Sequence, residues 1–166
     1  EAPSTPGQQA TAESFWKFTE GVNLAYNQAS CDQAIPVLQE AEELAVAAGA
    51  TELSILTLTE IGFCRGRFEN FESAYEDLRT ALEEARKHDK ALLAAKILVK
   101  RGALERRSGL FRESLEHGTE ALEIYRRLKH TSGQKHILAN LCSLKNSMGL
   151  VREAEETCRK SLELRS

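Results

Sequence analysis

The 166-residue sequence predicts an all-α protein: four helix-turn-helix units in tandem, about eight antiparallel helices in all. Three observations carry that prediction. Ala, Leu, Glu, Arg and Lys dominate, and Pro occurs only at Pro3, Pro6 and Pro36; this favours helix, and no run of alternating Val, Ile and Thr suggests a strand. Residue columns recur at intervals of forty: Ala34, Ala74, Ser114 and Ala154; Ala41, Ala81, Ala121 and Ser161; Phe18, Leu58, Leu98 and Leu138; Leu24, Cys64, Leu104 and Leu144. A fifth column, Val22, Gly62, Gly102 and Cys142, is mostly small. Small side chains let two antiparallel helices cross at roughly 8–9 Å.

The elements follow in order. Residues 1–11 read as a disordered linker or a mature N-terminus, because EAPSTPGQQATAES is rich in Pro, Ser, Thr and Gln. A repeat domain over 12–166 follows, with units at about 12–50, 51–89, 90–131 and 132–166. First helices are expected near 12–27, 52–66, 90–107 and 133–147, and second helices near 31–48, 70–87, 111–129 and 151–165. Ser30 with Gln33 resembles a capping box, Asn70 suits an N-cap, and Gly109 and Gly149 suit left-handed C-caps. Gly62 and Gly102 should face Ala74 and Ser114, so Gly102→Leu should overpack the crossing at about 1–3 kcal/mol. Each unit leaves one face bare, so units must stack. At the last unit Leu141, Leu144, Leu162 and Leu164 should be only partly covered, which predicts a continuing chain or self-association through this end.

Charge divides the chain. Residues 1–90 hold 7 Lys/Arg against 16 Asp/Glu, and residues 91–166 hold 15 against 9. An acidic and a basic end suit different partners or head-to-tail association. No apolar run approaches the ~20 residues of a membrane span, so membrane insertion is not expected. The basic clusters KILVKRGALERR and YRRLK lack interleaved aromatics, so no nucleic-acid partner is expected either. Cys31, Cys64, Cys142 and Cys158 form no C-x-x-C and read as reduced, metal-free, buried residues, although Cys142 and Cys158 fall on facing helices of unit four. No nucleophile elbow, phosphate loop or H-E-x-x-H appears, and of His88, His117, His130 and His136 three lie at or near inter-unit loops, where surface histidines are ordinary; neither enzyme activity nor a cofactor is expected. Glu1 is not Met, which suggests a processed or partial chain. The location stays open between the cytoplasm and an exported mature chain.

With these columns the chain resembles the tetratricopeptide repeats, in a long variety. GLF at Gly109–Phe111 with Ser114 and Ala121 fits the family pattern, as does GLV at Gly149–Val151 with Ala154; Phe71, Ala74, Ala81 and Gly62 fit in unit two. Unit one departs most, with Val22 for the small residue and Cys31 for the aromatic. The resemblance implies a right-handed α-solenoid and a ligand groove lined by the first helices. That groove would hold Trp16, Thr19, Asn23 and Tyr26; Leu56, Thr59 and Phe63; Lys96, Val99, Lys100, Ala103, Arg106 and Arg107; and His136, Ala139, Asn140, Ser143 and Asn146. The subgroup that clamps chaperone tails needs a Lys where Thr19 stands and an Asn where Glu60 stands, so that assignment is rejected. The resemblance implies a protein- or peptide-binding scaffold within a larger signalling or regulatory protein. The alternative is a sensor domain controlling a DNA-binding or cyclase output. The bases of unit three favour an acidic ligand, with an apolar side chain near Phe63. Trp16 has a second reading, packing with Phe15 and Phe18 to close the first end.

Overall fold

From Cys31 onward a helix begins every twenty residues. The computed structural model describes residues 5–26 and 30–164, and among them the helices are α1 (Pro6–Tyr26), α2 (Cys31–Ala47), α3 (Thr51–Arg67), α4 (Phe71–Lys87), α5 (Ala91–Arg107), α6 (Phe111–Arg127), α7 (Thr131–Ser147) and α8 (Val151–Glu163). No strand occurs among the described residues. The twenty-residue step has a backbone cause. Gly49, Glu69, Asp89, Gly109, Lys129 and Gly149 all take positive φ, between 52° and 83°, so each turn reverses the chain through one left-handed residue. Gly109 and Gly149 are the expected caps, while Glu69, Asp89 and Lys129 adopt the same conformation against its steric cost.

The first helix starts earlier than the composition suggested. Residues 6–11, expected to belong to a linker, are helical. The Thr5 N–H donates to Gln8 Oε1 (2.8 Å), and the Gln8 N–H donates to Thr5 Oγ1 (3.3 Å), with Pro6 between them as the first helical residue. This is a reciprocal capping box, and the T-x-x-Q pattern that encodes it was legible in the sequence. Ser30 and Asn70 do stand at the N-caps of α2 and α4, but neither side chain makes a capping bond, so the capping box expected at Ser30 does not form. His130 caps α7 with its side chain: its Nδ1 accepts from the Gly133 N–H at 3.0 Å while its ring stacks on Tyr125.

The helices form two compact units, Glu1–His88 and Asp89–Ser166, each holding two hairpins. Asp89 and Lys90 cancel, so the acidic and basic halves read from the sequence coincide with these units. In the first unit Ala25, Cys31, Ala34, Leu38, Ile61 and Cys64 form a core cluster against which Phe18, Val22, Leu24 and Ile35 pack. The small residue of the α1/α2 crossing is Gly21 rather than a residue in the Val22 column: a Cβ there would come within 2.6 Å of Leu38. Gly62 is equally committed, since its Cβ would meet Asp77 at 2.9 Å and the Ala74 carbonyl at 3.1 Å. In the second unit Gly102 faces Ser114 as expected, and the Ser114 hydroxyl donates to the Gly102 carbonyl at 2.7 Å. A Cβ at Gly102 would sit 3.5 Å from its nearest neighbour, so this crossing is looser than the column implied.

A polar pair bridges three of the hairpins, each at a sequence separation of twelve. Arg65 and Asp77 pair at 2.7 Å between α3 and α4, His117 and Glu105 at 2.8 Å between α5 and α6, and Lys145 donates to Thr157 at 3.2 Å between α7 and α8. Burial raises the Asp77 pKa even though Arg65 opposes the shift. The disulfide corrects one expectation. Cys142 and Cys158 are not reduced but bonded, with Cα atoms 5.2 Å apart, because the antiparallel α7/α8 hairpin sets them opposite each other. Cys31 and Cys64 are free and buried, as expected.

Candidate functional site

Steps of four, three and four residues keep side chains on one side of a helix. On the first helix of each hairpin those steps collect Trp16, Glu20 and Asn23; Leu56, Glu60, Phe63 and Arg67; Lys96, Lys100, Ala103 and Arg107; and His136, Asn140, Ser143 and Ser147.

In the first unit this face joins α1 to α3. Tyr26 stacks on Phe63 with ring centroids 6.3 Å apart, its hydroxyl donates to Glu60 Oε2 at 2.8 Å, and Arg67 donates to the Ala25 carbonyl at 2.9 Å. Burial, and then the Glu60 carboxylate, push the Tyr26 phenol well above its usual pKa. Trp16 and Asn23 line an open groove of about 940 Å³ along α1, with Glu13, Lys17 and Glu20. Trp16 is 74 % exposed and Phe15 58 %, so this pair does not close the end of the array. Leu56 lines a second groove of about 760 Å³ with Phe15 and Leu53. Thr59 is not on this surface. It is buried, and its hydroxyl donates to the Ile55 carbonyl at 2.7 Å.

In the second unit α5 and α7 carry the face. Lys96, Arg107 and His136 are exposed, and Lys100 and Asn140 half-buried. Arg106 lies toward α7, where its guanidinium reaches Ser143 Oγ at 3.4 Å, and His136 Nε2 lies 3.2 Å from Asn140 Nδ2. α7 contains no acidic residue and α5 contains one, Glu105. Glu105 points the other way, 2 % exposed, between Arg101 Nε at 2.9 Å and His117 Nδ1 at 2.8 Å. The face is therefore basic: its one nearby carboxylate is spent inside the α5/α6 hairpin. The sequence reading missed that arrangement, although the columns Arg65, Glu105, Lys145 and Asp77, His117, Thr157 signal it by carrying complementary polar groups at core register.

No family model and no curated protein matches the chain. Solved structures do. A Rap protein complexed with competence and sporulation factor aligns with a TM-score of 0.85 at 15 % identity, over 98 % of this chain and 44 % of that one. The chain shares a helical-repeat fold with Rap proteins. The apo form of RapI aligns at 0.69 and 18 % identity over 93 % and 43 %, and BtubC (BKLC) from P. vanneervenii at 0.64 and 16 % over 98 % and 74 %. The chain thus spans less than half the length of either Rap chain, and its fold is an α-solenoid of helical hairpins. Among the described residues no helix is long and apolar enough to cross a membrane.

Proposed function

We propose that the chain is a non-catalytic peptide- or protein-binding module of tetratricopeptide type, an interaction scaffold within a larger signalling or regulatory protein. The observation that carries this is the basic α5/α7 face, where Lys96, Lys100, Arg106 and Arg107 gather while Glu105 is turned into the hairpin. Cations grouped on one surface raise the local potential and draw anionic ligands. His136, Asn140 and Ser143 beside them supply hydrogen-bonding groups of the kind that orient a peptide backbone. A Rap protein, of the same fold, was solved complexed with competence and sporulation factor, which supports a ligand-binding use of such an array.

The preferred ligand is an extended or helical peptide with acidic side chains. Lys96→Glu with Lys100→Glu should keep the helical circular-dichroism spectrum, because Lys96 is exposed, Lys100 lies outside the buried core, and charges that reach solvent contribute little to stability. Binding of acidic peptides, measured by fluorescence anisotropy, should weaken about tenfold or more and become less salt-sensitive. Undiminished binding by this double variant removes the face from consideration.

A further inference from the structure

The four cysteines fall at two places where the forty-residue register is broken twice at once. Cys142 and Cys158 stand where the preceding hairpin has Gly102 and Gly118, and there the two sulfurs are bonded. Cys31 and Cys64 stand where later copies have Phe71 with Leu104 and Phe111 with Leu144. The leucines show what this register position asks for: Leu104 is fully buried and Leu144 is 2 % exposed. Leu144 and Leu141, the latter 5 % exposed, are therefore not the partly bare residues expected from the sequence; the bare leucine of the last hairpin is Leu162, at 76 %. Larger apolar side chains fill the position in the later copies, so packing gives no reason for two thiols to appear here together.

The fold makes these two thiols partners. Cys31 is the first residue of α2, and Cys64 lies in the last turn of α3. Both belong to the core cluster of the first unit, 2 % and 1 % exposed, with Ala25, Ala34, Leu38 and Ile61. The Cys64 S–H donates to the Cys31 sulfur, so the side chains already face each other, and both are free. The bonded pair, Cys142 and Cys158, lies within one hairpin. Cys31 and Cys64 instead lie on successive hairpins, beside the Tyr26 contacts to Phe63 and Glu60 that join the same two hairpins from α1.

We propose that Cys31 and Cys64 are an oxidation site, at which a hydroperoxide closes a disulfide that staples the first hairpin to the second. Burial and the hydrogen bond to Cys31 hold the Cys64 thiol protonated well above its usual range, so Cys31 reacts first. Its sulfur attacks one peroxide oxygen: an S–O bond forms, the O–O bond breaks, and the departing hydroxide leaves as water with the Cys31 proton. The Cys64 sulfur then attacks the Cys31 sulfur: the S–S bond forms, the S–O bond breaks, and the sulfenic oxygen leaves as a second water with the Cys64 proton. Two thiols are oxidised by the loss of two hydrogens, and one hydrogen peroxide is reduced to two waters. The resolving thiol is in contact from the start, which favours the disulfide over further oxidation of Cys31. Burial confines the reaction to transient local opening, so it is slower than that of an exposed thiol.

The test uses the whole chain, folded, with hydrogen peroxide as the oxidant. Its intact mass should fall by two hydrogens beyond those already lost at Cys142 and Cys158. Cleavage after glutamate cuts between the two cysteines at Glu40, Glu43 and Glu52, and without reductant it should leave the Cys31 and Cys64 fragments linked. The helical circular-dichroism spectrum should persist and the melting midpoint should rise. In Cys64→Ser the sulfenic acid on Cys31 has no resolving partner, so a cyclic dione probe should label Cys31; in Cys31→Ser the same treatment should leave Cys64 unlabelled. No further loss of hydrogens from the folded parent overturns the proposal, whatever the variants do. So does a link from Cys31 or Cys64 to Cys142 or Cys158, and so does gain of oxygen at Cys31 and Cys64 in the parent with no link between them.

Discussion

Two glycines in one column show how much a single carbon weighs. Gly62 and Gly102 stand forty residues apart, yet a Cβ would press on backbone and Asp77 at the first and make ordinary contact at the second. Alanine favours helix over glycine by up to ~1 kcal/mol. Gly102→Ala should therefore raise the melting midpoint, whereas Gly62→Ala should lower it through a clash of about 1–3 kcal/mol; calorimetry of the two variants checks the contrast. Tyr26 sets a pH limit. Its folded pKa is raised by burial and by Glu60, so its contribution to stability is complete below the ordinary value of 10.0 and is lost as the pH climbs beyond, when the unfolded chain ionises first. Denaturation midpoints above that pH should fall more gently in Tyr26→Phe than in the parent. Cys64, raised by burial and by Cys31, acts in the same direction.

At the scale of elements, hairpins are pinned by polar pairs that sit in apolar register. Glu105 is the most buried carboxylate among the described residues, and His117 and Arg101 together satisfy it. Removing the imidazole leaves a desolvated acceptor with one partner fewer. His117→Leu should cost about 1–3 kcal/mol in urea unfolding, and His117→Gln, which keeps a donor, should recover part of it. The last hairpin adds a covalent link to its Lys145–Thr157 pair. Its disulfide spans a sequence separation of 16, for which the loop-closure estimate is about 3 kcal/mol. Reductant should lower the stability of the parent by that order and leave Cys142→Ser with Cys158→Ser unaffected, since the remaining cysteines are free. Intact-mass measurement of the native protein should show the loss of two hydrogens.

Across the whole molecule, two compact units carry opposite net charge, and each turns the first-helix residues of its hairpins to one face. The first unit's face is aromatic and partly occupied by its own contacts, with Tyr26 engaged by Phe63 and Glu60. The second unit's face is basic. An acidic peptide should therefore protect backbone amides of α5 and α7 from hydrogen exchange more than those of α1 and α3. Equal protection in both units would contradict the division of roles.

Periodicity was enough to read the helices, their hairpin pairing and the forty-residue step, because helix geometry is a local property and a repeated column records the same contact many times. The groove positions came from the resemblance instead, and Thr59 among them is buried. What escaped were contacts made once. The capping box at Thr5 was masked by composition, Gly21 lies one residue off the column, and the pairing of Glu105 with Arg101 and His117 needed the α5/α6 packing to be seen. Whether Cys142 and Cys158 bond depends on two sulfurs meeting across a turn, and whether Leu162 is bare depends on a helix that covers Leu122 and not its counterpart. The sequence by itself determined the elements and their period. Only the tertiary structure decided which side chains meet, because burial and pairing are set by neighbours distant in the chain, and one residue of register moves a side chain about 100° around its helix.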